Sequence, residues 1–244
     1  MIFGRRKRVT EEPKAEELES FEEESAAEEQ PESSEAERAL AEARQEWARW
    51  DEEFDRENGP FDIEEVDLGA DDVTRVDLGT LVVTPFEGMK MQISVNQQQV
   101  PQAVIVATED SGMEISLFGA PSRSSYLAEV RNEIIAATQN QPGTKLSVRK
   151  GPFGTELLRA MPLRTEDGRD VVQVTRTWMA EGPAWIVRGV VFGKAAMEPD
   201  NEDIALTLLE CFANLVVRRG SRPVAAGSVI PLTLPDLPEA AAKS

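Results

Sequence analysis

The side chains that most often carry out chemistry are scarce in this chain. Among 244 residues there is no histidine and one cysteine. That removes the commonest general base, the usual partner of a serine or cysteine nucleophile and the commonest metal ligand. Proton transfer would fall to carboxylates, of which Glu114, Glu156, Asp167 and Glu181 lie near expected turns. Acid and base roles need two such groups paired in a defined cleft, and nothing in the spacing pairs these four. No Cys or His cluster has metal-ligand spacing. The sequence therefore assigns no catalytic residue, no metal and no cofactor.

Two groups of residues are better placed to bind than to react. Arg149, Lys150, Arg159, Arg164, Arg176 and Arg188 fall on expected neighbouring strands. Of these, Arg159, Arg176 and Arg188 are the candidates for an anion-binding sheet edge; the plainer alternative is a set of solvated or ion-paired surface arginines. The chain's own acidic tail is one anion within reach. Trp47, Trp50 and Phe54 form the second group, an aromatic stripe of the kind that docks a helix into a partner's groove. The alternatives are docking in cis on the same chain and a helix without a contact. Gly151-Pro152-Phe153-Gly154 has the Gly-x-x-Gly spacing of a nucleic-acid clamp but sits between strands rather than helices, so it reads as a turn.

The elements that must position these residues follow from composition and periodicity. Residues 11–72 hold 26 acids against 5 bases, Arg5, Arg6, Lys7 and Arg8 form a separate basic knot, and from Val73 onward acids and bases stand at 19 and 17. A balanced globular part gives no electrostatic footprint for nucleic acid. The basic knot alone is one signal where stable membrane anchoring takes two, and no apolar run has the length of a transmembrane span. A lone cysteine cannot form an internal disulfide, which fits a reducing cytoplasm.

Residues 1–34 are too polar to bury a core and are expected to be a disordered tail. Within 35–58, Ala36, Leu40, Ala43, Trp47, Trp50 and Phe54 recur at helical spacing and predict an amphipathic helix stopped by Asn58-Gly59-Pro60. Residues 59–72 read as an acidic linker, 73–222 as the globular domain and 223–244 as a Pro-rich strap. In the domain, Leu81–Val83 and three further runs predict a meander, and Ser124 or Ser125 caps a helix from Leu127. Asp167-Gly168 predicts a two-residue hairpin that sets Arg159 opposite Arg176 and Leu157 opposite Trp178. A second turn at Glu181-Gly182 sets Trp178 against Trp185. The apolar run Gly182 to Gly193 is the expected central strand, buried on both faces. A last helix carries Ile204, Leu208, Cys211, Phe212 and Leu215, ending at Val216-Val217.

Three stretches carry a resemblance: Asp77 to Leu81 leading into Glu87-Gly88-Met89, Gly151 to Leu157, and Gly182 to Gly189. With them, from about Asp62 to Leu234, the chain resembles DUF3710, an actinobacterial family of unknown function. The resemblance implies a cytoplasmic bacterial protein and supplies no activity or site residue. The element order is also similar to Mog1/PsbP-like domains. The expected fold class is α+β, a mostly antiparallel sheet with two packed helices. The expected function is a non-catalytic cytoplasmic binding or adaptor protein with an unknown protein partner; the alternative is a small-molecule or anion-binding domain using the strand arginines.

Overall fold

The computed structural model describes residues 16–165, 167–220 and 222–234, with side chains from residue 35 onward. The described residues divide into two units between Glu46 and Trp47. The first is the leading part of helix α1 (Glu16–Glu53). Sequence periodicity starts this helix at residue 35, whereas the structure carries it back to Glu16 through a Glu-rich run, glutamate being a good helix former. The basic knot and the rest of 1–15 lie outside the described residues.

In chain order the second unit contains β1 (Phe61–Asp62), β2 (Val76–Asp77), β3 (Leu81–Val83), β4 (Lys90–Val95), β5 (Pro101–Ala107), β6 (Ser111–Gly119) and α2 (Leu127–Gln139). There follow β7 (Lys145–Gly151), β8 (Gly154–Arg164), β9 (Asp170–Gly182), β10 (Trp185–Gly193), α3 (Lys194–Met197), α4 (Glu202–Ala213) and β11 (Val216–Val217). Seven strands form one antiparallel sheet in the order β4-β5-β6-β10-β9-β8-β7. The fold is α+β, and β10 is its central strand.

One face of that sheet is the core. Val106, Met113, Ile115, Leu117, Trp178, Val187 and Val191 pack there with Ala205, Leu208 and Phe212 of α4. The other face of β10 is not sealed: Arg188, Val190 and Phe192 stay half-buried. Helix α2 packs against β7 and β9 and leaves β10 and β6 partly open. The expected serine cap is present at Ser125, whose Oγ accepts Leu127 N–H at 3.4 Å, and a tertiary contact supplements it. Tyr126 N–H donates to the Glu181 carboxylate of β9 at 2.8 Å, and no side chain caps the helix from its own N-cap position.

A small second sheet has the order β1-β11-β3-β2. Val216-Val217 ends no helix: α4 stops at Asn214, and the two valines are buried between β1, parallel, and β3, antiparallel. Leu81–Val83 joins this sheet rather than the meander. Within 59–72, Phe61-Asp62 forms β1, and the buried Asp62 carboxylate accepts Trp185 Nε1–H at 2.7 Å. Over its described residues, 223–234, the C-terminal strap turns at Ala226-Gly227, bridges Phe118 through Val229 and buries Ile230 and Leu232.

Two registers differ from expectation. The β8–β9 hairpin closes on Arg164 and Asp170, with Thr165 N–H bonded to the Arg169 carbonyl and Gly168 N–H to that of Thr165. This longer loop slips the pairing by one residue, so Arg159 faces Thr175 while Arg176 faces Leu158. The β9–β10 turn is built on Pro183-Ala184, with Ala184 at φ 62°, so Trp185 faces Gly182 and Trp178 faces Gly189.

Gly189 lies where the core closes on the central strand. A Cβ there would stand 2.7 Å from Met113 Sδ and 2.9 Å from Phe212 ring atoms. Gly189→Ala is expected to destabilise the domain by about 1–3 kcal/mol through overpacking. Urea unfolding should show a lower midpoint with an unchanged slope.

Candidate functional site

The one-residue slip decides what each arginine can do, because successive side chains on a strand point to opposite faces. Arg176 goes to the core side and meets Glu156. Its Nε donates to Oε1 at 3.1 Å, its Nη2 to Oε2 at 2.9 Å and its Nη1 to the Ala195 carbonyl at 3.1 Å. Trp178 Nε1 donates to Oε2 at 2.6 Å. Glu156 is 1% exposed and Arg176 4%. Arg149 makes an ion-pair contact with Glu156 and continues to Asp200 and the Pro199 carbonyl. This is a bidentate network in which the Arg176 guanidinium is taken up by protein groups, while Arg149 Nε makes an ion-pair contact but no hydrogen bond.

Arg159 and Arg188 point to the outer face. Across the strands, Glu114, Val190, Thr177 and Leu157 form one row. Ser116, Arg188 and Met179 form the next row on one side. On the other side, Gly112, Phe192, Thr175 and Arg159 form another. The two arginines thus flank a row that carries Glu114 and Thr177. The Arg188 guanidinium lies over the Phe118 ring, 4.7 Å from its centroid.

Among the described residues neither guanidinium has a hydrogen-bond or ion-pair partner, and the Nε atoms of both are buried. Thr175 and Thr177, 4% and 1% exposed, carry hydroxyls that are also buried and unpartnered. Burial pulls both guanidiniums below the usual arginine range. At Arg188 the Glu114 charge opposes this shift and the Arg159 charge adds to it. Glu114 was legible as a carboxylate near a turn, but Thr175 and Thr177 were not legible as site residues. Threonine on a strand carries no signal beyond β-propensity.

The aromatic end of α1 belongs to the second unit. Phe54 packs edge-on against Phe153 at 5.7 Å, and Phe153 reaches Phe212 at 4.6 Å and Trp178 at 5.6 Å. Trp47 lies under the Arg131 guanidinium at 5.6 Å, and its carbonyl accepts from Thr155 Oγ1 at 3.0 Å. Asp51 accepts from Thr155 N–H at 2.8 Å and pairs with the buried Arg131 at 2.5 Å. Trp50 is half-buried, and its carbonyl lies over Gly154. Gly154, at φ 83°, has room for no side chain, since a Cβ would stand 2.9 Å from Asp51 Oδ1. The Gly-x-x-Gly loop is a hairpin turn that also seats a helix. Asp51, Arg131 and Thr155 were missed in the sequence because their pairing spans 80 residues or more.

Other chemistry-bearing groups are quiet. Burial pushes the Cys211 thiol up to about 12, so it stays protonated near neutral pH. Among the described residues no group of three or more Cys, Asp and Glu is placed to hold a metal ion. None of the described helices is long and apolar enough to cross a membrane.

Over residues 59–241 the sequence matches the family described as Protein of unknown function (DUF3710). No curated protein matches it. One similar structure is the solution structure of cyanobacterial PsbP (CyanoP) from Synechocystis sp. PCC 6803. It is 11% identical with a TM-score of 0.32, covering 63% of this chain and 98% of that one. A crystal structure from Bacteroides thetaiotaomicron VPI-5482 is 12% identical with a TM-score of 0.34, covering 62% of this chain and 48% of that one. Likenesses at these scores carry no argument about function.

The two classes of arginine separate in a stability measurement. Arg176→Ala leaves Glu156 buried with its bidentate partner gone and is expected to cost about 3–5 kcal/mol. Arg159→Ala removes a guanidinium that has no protein partner and is expected to cost less than about 1 kcal/mol. Urea unfolding of both variants beside the wild type reads the difference.

Proposed function

The chain belongs to DUF3710, a family of unknown function, and on that premise we propose that it is a binding protein whose contact surface is the outer face of the seven-stranded sheet, at Arg159 and Arg188. A single observation carries this reading. Two half-buried cations and two buried hydroxyls stand on one sheet face without partners among the described residues. Burying a charge or a donor without a partner is costly, and an anion supplies acceptors for the two half-buried guanidiniums. Arg176, taken up by Glu156, has no part in it. The reading keeps the cytoplasmic, actinobacterial setting that the sequence suggests.

In this proposal the Trp47, Trp50 and Phe54 stripe acts in cis. Its ring contacts and the Asp51 pairings hold the end of α1 on its own unit, so a partner's groove is not needed to cover it. Recognition of a protein partner, if the ligand is part of one, then runs through the sheet.

Calorimetric titration of the full chain at low ionic strength tests the reading. Inorganic phosphate, pyrophosphate, acetate and phenylacetate are the probes. At least one should bind saturably. Arg159→Ala and Arg188→Ala should each weaken it about tenfold or more, as expected for loss of a charge-assisted contact. Arg169→Ala, at an exposed hairpin tip, should leave it unchanged. Absence of saturable binding by every probe, or binding that survives both arginine variants, would overturn the proposal.

A further inference from the structure

We propose that the ligand of this face is a monoanion, a carboxylate carried on an apolar body, and not a phosphate or a polyanion. This rests on the reading of Arg159 and Arg188 as an anion site and goes on to name what that anion is. Three observations select the class.

The first is charge balance. Glu114 shares the outer face with the two arginines, in the row between them, and its charge acts on Arg188. Two guanidiniums and one carboxylate leave a net charge of +1. Of the other charges on or over the outer face, Lys150 is paired with Glu53 and Arg131 of α2 with Asp51, Glu181 caps α2, and Glu129 and Glu133 are exposed on that helix. Lys90 lies on the edge strand, three strands from β10. A single negative charge is neutralised by this face, whereas a phosphate dianion or a pyrophosphate brings an excess that Glu114 repels.

The second observation is donor count. A carboxylate offers about four lone-pair sites on two oxygens, matched by the forks of two guanidiniums. No lysine or helix N-terminus lies in the flanking rows to serve the further oxygens of a phosphate.

The third is the surrounding surface. Ile105, Phe118, Val190 and Phe192 are all on the outer face and only half-buried. They give an apolar body a place to lie, with Val190 between the two arginines. A strongly hydrated polyphosphate would gain nothing from these side chains and would lose water to them. An aryl or alkyl group buries area against them while its carboxylate reaches the guanidiniums.

The test compares phenylacetate and hexanoate with acetate, inorganic phosphate and pyrophosphate on the full chain, by calorimetry at one fixed ionic strength. Phenylacetate or hexanoate should bind at least about tenfold more tightly than acetate, and more tightly than either phosphate compound. Arg188→Ala should weaken that binding about tenfold or more. Glu114→Gln should raise pyrophosphate affinity several-fold relative to phenylacetate, because removing one negative charge helps a multivalent anion most. Val190→Thr, nearly isosteric, should bring phenylacetate towards acetate. Should Arg188→Ala fail to fold by near-ultraviolet circular dichroism, Arg188→Lys replaces it, keeping the charge and losing the fork.

Tighter, arginine-dependent binding of phosphate or pyrophosphate would overturn the carboxylate class and leave the anion face standing. Equal affinity for acetate and phenylacetate would overturn the apolar body. Arginine-independent binding, or none, would remove the anion face and this inference with it.

Discussion

The buried contact between Glu156 and Arg176 fixes the sense of everything around it. An ionised pair this deep is held only if its geometry is good and its remaining polar atoms are served, because desolvating two charges costs several kcal/mol. Here the guanidinium fork, the Trp178 indole and the Ala195 carbonyl serve them. Such a pair adds little net stability over an apolar one, but it discriminates strongly between registers. Sliding β9 by one residue against β8 would turn Arg176 towards the outer face and leave Glu156 alone in the core. The pair thereby assigns the neighbouring arginines their faces: Arg176 inward, Arg159 and Arg188 outward.

The same corner receives the end of α1. Phe153 follows β7 and touches Trp178 and Phe212 on the core side while its other edge takes Phe54. Thr155, one residue before Glu156, holds Asp51 and the Trp47 carbonyl. The hairpin at Gly151 to Gly154 is therefore shared by the core and the seat of the α1 end, and Gly154 is needed by both the turn and the approaching helix. An aromatic stripe that resembles a docking motif by spacing is, in this geometry, a means of closing the domain's own edge. Helical periodicity reports that a face is apolar; it cannot report whose core the face completes.

That limit marks what the sequence could and could not convey. The central strand was legible because an apolar run broken only by Arg188 lies between turn signals and leaves few alternatives, and α2 and α4 were legible from their stripes. The meander came from alternation. The hairpin register was not legible, since Asp167-Gly168 fits a tight turn locally and only the longer loop closed by Thr165 and Arg169 reveals the slip. An error of one residue is small for the fold and decisive for the site, because it exchanges faces. Val216-Val217 failed for a related reason: the residues continue an apolar run, and only the nearby β1 and β3 make a strand the better use of them. Of the three candidate anion-binding arginines, two share a face and the third is structural, a division that no composition or spacing could have supplied.

A domain in which local propensity, packing and polar pairing agree almost everywhere makes its exceptions informative. The core network satisfies a buried carboxylate from several directions, so the sequence is capable of partnering its charges. It does not do so at Arg159 and Arg188, nor at the hydroxyls of Thr175 and Thr177 beside them. Unpartnered buried groups lower stability, and four of the six such atoms found among the described residues, the others being Arg131 Nε and Arg149 Nε, stand on one sheet face around a row that also holds Glu114. The face is open where α2 ends and apolar where it is open. A surface that is cationic by one net charge, fork-shaped in its donors and greasy around them differs in kind from the broad basic patches that collect polyanions by long-range attraction. In the reading proposed here, selectivity at such a surface comes from desolvation and fit at short range rather than from long-range attraction, which salt screens.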